Sequence, residues 1–294
     1  MTTILRKNNK FIIAGLAPAL LLYTVFVLYP IIRSFFYGFY NWNGLSAPRF
    51  IGIENFITIL TDPIFWLSFK NNILVVVISV LGQIPFGILA AVALSGKLKG
   101  APFFRTAFFI PMILSTVVVG LLWSTILNPQ VGILKNFLLM LGFSKAPNLL
   151  GTPGIAIYTL CGVIFWQFVG LYMIIFLAAL QNIPPDIIEA ADIDGASEVT
   201  KFFRIRLPLL WGTIASAVVL CISGSMRTFD LIYVMTGGGP AHSTEVMATY
   251  MFNKTFATYQ YGYGSAVSLV IAVFSFVFIS ASRVLLLKQA EKGE

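Results

Sequence analysis

Six stretches of this chain are apolar for about the length that a bilayer demands. A hydrocarbon core of about 30 Å takes roughly 20 residues of helix. Segments 11–32, 72–96, 106–127, 155–181, 207–230 and 263–285 meet that length, and none carries a charge at its centre. The pattern predicts an all-α polytopic protein of six transmembrane helices, organised as a single membrane domain over residues 1–294. The first span outruns the 7 to 15 apolar residues of a secretory leader. Tyr29-Pro30-Ile31-Ile32-Arg33 follows it instead of a small-residue cleavage site, so it is expected to be a retained helix.

Composition agrees. Of 294 residues, 58% are hydrophobic and only 10% charged, against roughly a quarter charged in a soluble domain. Too few charges remain to cover a water-facing surface, which excludes an ordinary soluble enzyme. The aromatic content of 15% excludes a disordered chain. Net charge is +8, which in this setting points to cytoplasmic loops and not to nucleic acid. With the N-terminus inside, 12 Lys and Arg fall on the cytoplasmic side: Arg6, Lys7, Lys10, Lys97, Lys99, Arg105, Lys201, Arg204, Arg206, Arg283, Lys288 and Lys292. Only 7 fall outside, although the outer loops are longer. The positive-inside rule therefore predicts both termini in the cytoplasm. Tyr37, Tyr40, Trp42, Trp66, Tyr259, Tyr261 and Tyr263 suit the outer interface.

The interior polarity is neutral: Gln83, Ser115, Thr116, Ser124, Gln167, Ser216, Ser223 and Ser225. Ion-coupled carriers and proton pumps usually keep ionisable groups at mid-membrane, so a secondary transporter is the weaker alternative. A membrane enzyme is weaker still. One histidine, His242, and two cysteines, Cys161 and Cys221, leave no metal site and no catalytic constellation to expect. His242 reads as an exposed loop residue. No phosphate-binding G-x-x-x-x-G-K-[ST] loop occurs either.

The segment between the fourth and fifth spans, 183–208, carries five of the eleven acidic residues. Pro184 and Pro185 stop the preceding helix, and Asp186 can open a new one running to about Asp194. Ile187, Ile188 and Ala191 form its apolar stripe. Gly195 offers the left-handed residue that ends it. A second amphipathic stretch, led by Ser197, presents Val199, Phe202, Phe203 and Ile205 before Leu207-Pro208 starts the next span. Such a helix-Gly-helix element is suited to docking into another protein.

This loop resembles the signature of binding-protein-dependent ABC importer permeases: Glu-Ala-Ala, three residues, Gly, nine residues, Ile, one residue, Leu-Pro. Here those positions are Glu189, Ala190, Ala191, Gly195, Ile205, Leu207 and Pro208. Residues 229–240, from Phe229-Asp230 to Gly239-Pro240, and Tyr261 to Ala266 are similar to the carbohydrate-importer branch, of the maltose-permease first-subunit type. The resemblance implies the type I importer fold. It also implies a coupling helix in the 186–208 loop, seated in a cleft of a separate ATPase. The implied partners are a second permease subunit, two ATP-binding subunits that hold ATP and Mg, an extracytoplasmic sugar-binding protein and membrane lipid. This chain itself would bind no cofactor and catalyse nothing. The implied location is a bacterial or archaeal cytoplasmic membrane.

The same resemblance places substrate-facing positions at Met112, Thr116, Gln167, Phe168, Leu171, Tyr172, Cys221, Gly224, Ser225 and Thr228. Spans without inward cations favour a neutral mono- or oligosaccharide, with polyols and glycerol phosphate as alternatives. Arg227 and Asp230, one turn apart, are expected to form a local ion pair.

Overall fold

The computed structural model describes residues 9–96 and 98–290; Arg6, Lys7, Lys97 and Lys292, four of the charges used above to orient the chain, lie outside the described residues. Two compact units emerge: Met1–Asp62 with Met251–Val270, and Pro63–Tyr250 with Ile271–Glu294.

The first unit opens with α1, Gly15–Tyr37. It is apolar all round, and Leu20, Leu21 and Phe26 stand exposed, as a lipid-facing helix requires. A short antiparallel hairpin follows, β1 (Tyr40–Asn41) against β2 (Arg49–Phe50), with Tyr40 opposite Phe50. Helix α2 (Glu54–Thr61) comes next. From it the buried Asn55 amide donates to the carbonyls of Gly38 (2.8 Å) and Tyr40 (3.1 Å), satisfying backbone acceptors just beyond the end of α1. The Gly262 N–H donates to the Trp42 carbonyl at 3.1 Å. A side chain at Gly262 would overlap the Tyr40 carbonyl, so this crossing needs glycine. Trp42 also stacks on Tyr37, with ring centroids 4.4 Å apart.

The second unit holds α3 (Pro63–Ser95), α4 (Ala101–Ile113), α5 (Thr116–Ile126), α6 (Ile133–Met140) and α7 (Ala156–Gln181). After these come α8 (Pro185–Ile193), α9 (Glu198–Leu209), α10 (Trp211–Met226), α11 (Asp230–Thr236) and α12 (Met247–Phe252). Helix α13 (Tyr261–Ala290) starts in the first unit and ends in the second. Among the described residues, the second unit buries two apolar clusters: one between α3, α7 and α10, with Ile84, Ala91, Met173, Phe176 and Cys221, and one between α3, α5, α7 and α11, with Val75, Val119, Leu160 and Ile232. In lipid, helices associate by close packing of small residues more than by a hydrophobic drive. Two glycines serve that end. A Cβ on Gly87 of α3 would sit 2.8 Å from the Tyr172 Cβ of α7, and one on Gly170 of α7 would overlap the Phe108 carbonyl of α4.

Among the described residues, four helices are each long and apolar enough to cross a membrane: Gly15–Tyr37, Pro63–Ser95, Ala156–Gln181 and Tyr261–Val284. Two bent pairs, α4 with α5 (101°) and α9 with α10 (67°), pass the same test together, making six spans if each pair is one. The sequence pattern treats 106–127 and 207–230 as continuous helices, and both are interrupted. In the first, Pro111 weakens the end of α4, and Leu114 and Ser115 adopt extended ψ values of 144° and 132°. In the second, the chain turns at Leu210, and regular helix stops again after Met226 until Asp230.

Candidate functional sites: the loop helix and the cleft

The loop between the fourth and fifth spans folds as two short helices joined at a glycine. Pro185 occupies the first turn of α8, where a missing N–H costs nothing, and Asp186 complements the positive end of the helix dipole. At the other end, Gly195 takes a φ of +72°. The Gly195 N–H donates to Asp192 (3.1 Å) and the Ala196 N–H to Ala191 (2.9 Å), which satisfies the last carbonyls of α8. Ser197 then caps α9, its Oγ accepting from the Thr200 N–H at 3.2 Å.

Burial sorts the signature residues. Glu189 and Ala190 face outward, while Ala191 is buried and Ile205 and Leu207 are half-buried. Pro208 is exposed at the entry to the bend. Of the expected stripe, Ala191 points inward, Ile188 is half-buried and Ile187 is exposed. Ile193, 87% exposed, adds to an outward apolar surface with Val199 and Phe203.

Sequence reasoning missed what binds the two helices to each other. Lys201 is only 5% exposed, and its ammonium pairs with Asp192 of α8 at 2.5 Å and with Glu198 of α9. Arg206 adds a 3.2 Å contact to Glu198. The Asp192 and Glu198 carboxylates hold the Lys201 ammonium above its ordinary pKa. The Lys201 hydrogen bond, with Arg206 nearby, holds the Glu198 carboxyl below its own. Asp192 and Lys201 stand nine residues apart, a spacing that no single-helix rule picks out.

A cleft of about 240 Å³ opens between α3, α5, α7 and the break separating α10 from α11. Its walls hold Thr116, Phe168, Leu171, Tyr172, Cys221, Gly224, Ser225 and Thr228, eight of the ten positions that the resemblance placed on the substrate path. Met112 and Gln167 are not among the lining residues. Met112 sits near the end of α4 just before the bend, half-buried. Gln167 is 1% exposed and turns inside, its Nε2 donating to the Thr116 Oγ1 at 3.3 Å. It braces a lining residue from behind.

Three polar residues outside the expected substrate-path set also line the walls. Gln83 lines the cleft and ties its sides, donating to the Ile164 carbonyl (3.4 Å) and accepting from the Cys221 thiol (3.7 Å). Arg227 and Asp230 also line it, and they do not form the expected ion pair. The Arg227 Nε and Nη2 instead donate to the Ser223 carbonyl (3.2 Å) and Oγ (3.5 Å). The three residues between the helices put the two side chains out of the continuous helical register that an i, i+3 pair needs. Elsewhere, His242 is exposed, as expected, and meets the buried Glu245 carboxylate.

Residues 83–289 match the family described as the binding-protein-dependent transport system inner membrane component. Among curated proteins, the multiple sugar-binding transport system permease protein MsmF of Streptococcus mutans is 35% identical over 279 residues, covering 94% of this chain and 93% of that protein. The lactose transport system permease protein LacF of Rhizobium radiobacter is 35% identical over 276 residues, covering 91% and 92%. Among solved structures, a chain of the bacterial alginate ABC transporter, crystallised with its alginate pentasaccharide-bound periplasmic protein, superposes with a TM-score of 0.86. It is 24% identical and covers 97% of this chain and 96% of its own. That likeness establishes a shared fold.

Proposed function

Because this chain belongs to the binding-protein-dependent transport system inner membrane components, a multi-pass membrane family of ABC importers, we propose that its cleft carries a neutral sugar through the membrane. The observation that carries the reading is the cleft itself. It presents amide, hydroxyl and aromatic groups from four helices, with one cation and one anion, Arg227 and Asp230, where the spans alone had suggested no inward cation; donors, acceptors and ring faces together are the chemistry that holds uncharged hydroxylated rings. At about 240 Å³ it lies just under the usual range for drug-sized ligands, a size suited to one sugar ring at a time. Relatives named for multiple sugars and for lactose support the same class.

In this reading the chain is a non-catalytic subunit. ATP and Mg bind to two separate ATPase subunits, one of which receives α8, with Glu189 and Ala190 on the docking surface. Ala191, Gly195, Ile205, Leu207 and Pro208 keep the loop rigid, so that displacement of α8 reaches α10. A second permease subunit, in a heterodimer, supplies the other half of the path. An extracytoplasmic binding protein delivers the sugar, and both termini lie in the cytoplasm.

Purification of the tagged chain from native membranes, with mass spectrometry of what accompanies it, tests this. Recovery of a second six-span protein and a P-loop ATPase is the expected result. Screening the associated binding protein against sugars then identifies the cargo. A chain that purifies alone and transports in liposomes without ATP refutes the reading.

A further inference from the structure

Arg227 and Asp230 bring opposite charges to the wall of one small cleft without spending them on each other. The guanidinium is anchored to its own helix through Ser223, a neutral partner that leaves its charge uncompensated. The Asp230 carboxylate has no hydrogen bond or ion pair among the described residues. Both side chains are exposed and line the cleft, carried on the stretch where regular helix stops after Met226 and resumes at Asp230. Ile164, Leu171 and Leu220 make apolar wall beside them, and charges next to low-dielectric walls act more strongly than in open water.

We propose that Arg227 and Asp230 are specificity-determining residues of this cleft, selecting an uncharged sugar ring. Arg227 donates to ring hydroxyl oxygens, and Asp230 accepts from ring hydroxyls while repelling sugars that carry a carboxylate. The inference rests on the sugar-import reading above. Hydrogen bonds to charged groups are roughly twice as strong as neutral ones, so one anchored donor set and one unpaired acceptor grip a ring that offers both kinds of partner. A carboxylate sugar meets Arg227 favourably but also Asp230, and an unpaired like charge in such a site is strongly unfavourable. Asp230 has a second role available at the start of α11, where a negative charge favours the helix. Asp230 follows the N-cap Phe229, which has no side-chain capping hydrogen bond, so Asp230→Asn removes the charge and its helix-dipole contribution without breaking a cap.

The test uses the complete importer in proteoliposomes, with the same binding protein throughout. The probes are labelled maltose, lactose and cellobiose, each beside its aldonic acid (maltobionate, lactobionate, cellobionate). Asp230→Asn is expected to raise the ratio of aldonate to parent-sugar uptake by about tenfold or more, and Asp230→Glu to leave it unchanged. Arg227→Gln is expected to raise KM for the parent sugar about ten- to a hundredfold, with the chain present in the membrane at its usual level. A structural role for either residue would scale both sugars equally. An unaltered ratio in Asp230→Asn with an unaltered KM in Arg227→Gln overturns the inference and leaves sugar import standing. An unaltered importer that moves neither these parent sugars nor any sugar found by screening its binding protein removes the sugar reading, and this inference with it.

Discussion

Gly87 offers the most direct test of how the cleft wall is built. A Cβ placed there would lie 2.8 Å from the Tyr172 Cβ, 3.1 Å from the Tyr172 carbonyl carbon and 3.2 Å from the Met173 backbone N. Ordinary carbon contacts are about 3.5–4.0 Å, so α3 and α7 must part by roughly 0.7–1.2 Å to admit one methyl group. Overpacking of this kind costs about 1–3 kcal/mol, and replacing a helical glycine by alanine returns up to about 1 kcal/mol. Gly87→Ala therefore nets a loss of roughly 0–3 kcal/mol, and Gly87→Val, with two further methyls, loses more. Gly162, on the same α7, has nothing within 4 Å of its added Cβ, so Gly162→Ala is expected to gain up to about 1 kcal/mol. Thermal unfolding of the purified complex should thus move in opposite directions for Gly87→Val and Gly162→Ala, by a few degrees each. Tyr172→Ala should not rescue Gly87→Val, because the obstructing atoms are the Cβ and backbone that alanine keeps. Sugar uptake supplies a second readout, since Tyr172 lines the cleft and must shift with α7. Equal and same-signed shifts for both glycine variants would refute the close crossing of α3 and α7.

Other outcomes follow from the two sites. Glu189→Lys or Gly195→Pro should abolish uptake while the chain remains inserted, and normal transport by either variant sinks the coupling role of the loop. Lys201→Met should uncouple the helices, with ATPase activity persisting while uptake falls; equal loss of both would mean that the clasp does not transmit motion. Its pH dependence has a definite sign. Glu198, lowered in the folded loop, contributes stability above the ordinary carboxyl range that is lost as pH falls through its lowered value. Lys201, raised, contributes below the ordinary ammonium range and loses it only as pH rises through its raised value. The clasp should hold from about pH 5 to about pH 10, so a ratio of uptake to ATPase activity that drifts between pH 6 and 9 would contradict it. At the cleft, Tyr172→Ala directly, or Gln167→Ala through the Thr116 that it holds, should change sugar affinity or sugar-stimulated ATPase activity; if every cleft residue tolerates alanine, the sugar passes elsewhere.

Much of this molecule is legible along the chain because its constraints are local. A bilayer needs a fixed length of apolar helix, and any segment that meets the need declares itself by composition, as α1 and α7 do. The loop signature is equally local. Helix start, left-handed glycine and re-entry into the membrane occur within 183–208, so its short helices and their caps could be read from residue type and spacing alone. Of the ten positions that the resemblance placed on the substrate path, eight line the cleft; that much was within reach through the resemblance.

What the chain does not display is set by contacts between segments far apart in sequence. The angle between α4 and α5 depends on two extended residues at 114–115, which a hydropathy pattern passes over as more apolar chain. Lys201 looks like one more cytoplasmic cation until α8 folds back and presents Asp192. Gln167 looks like a ligand contact until its amide is seen turned inside, holding Thr116 from behind. Arg227 and Asp230 look like a salt bridge at helical spacing until the helix stops between them. In each case the residue type states what a side chain could do, while its neighbours in space settle what it does. Those neighbours are chosen by where helices cross, and crossings such as Gly87 on Tyr172 depend on tenths of an ångström that only the packed molecule specifies.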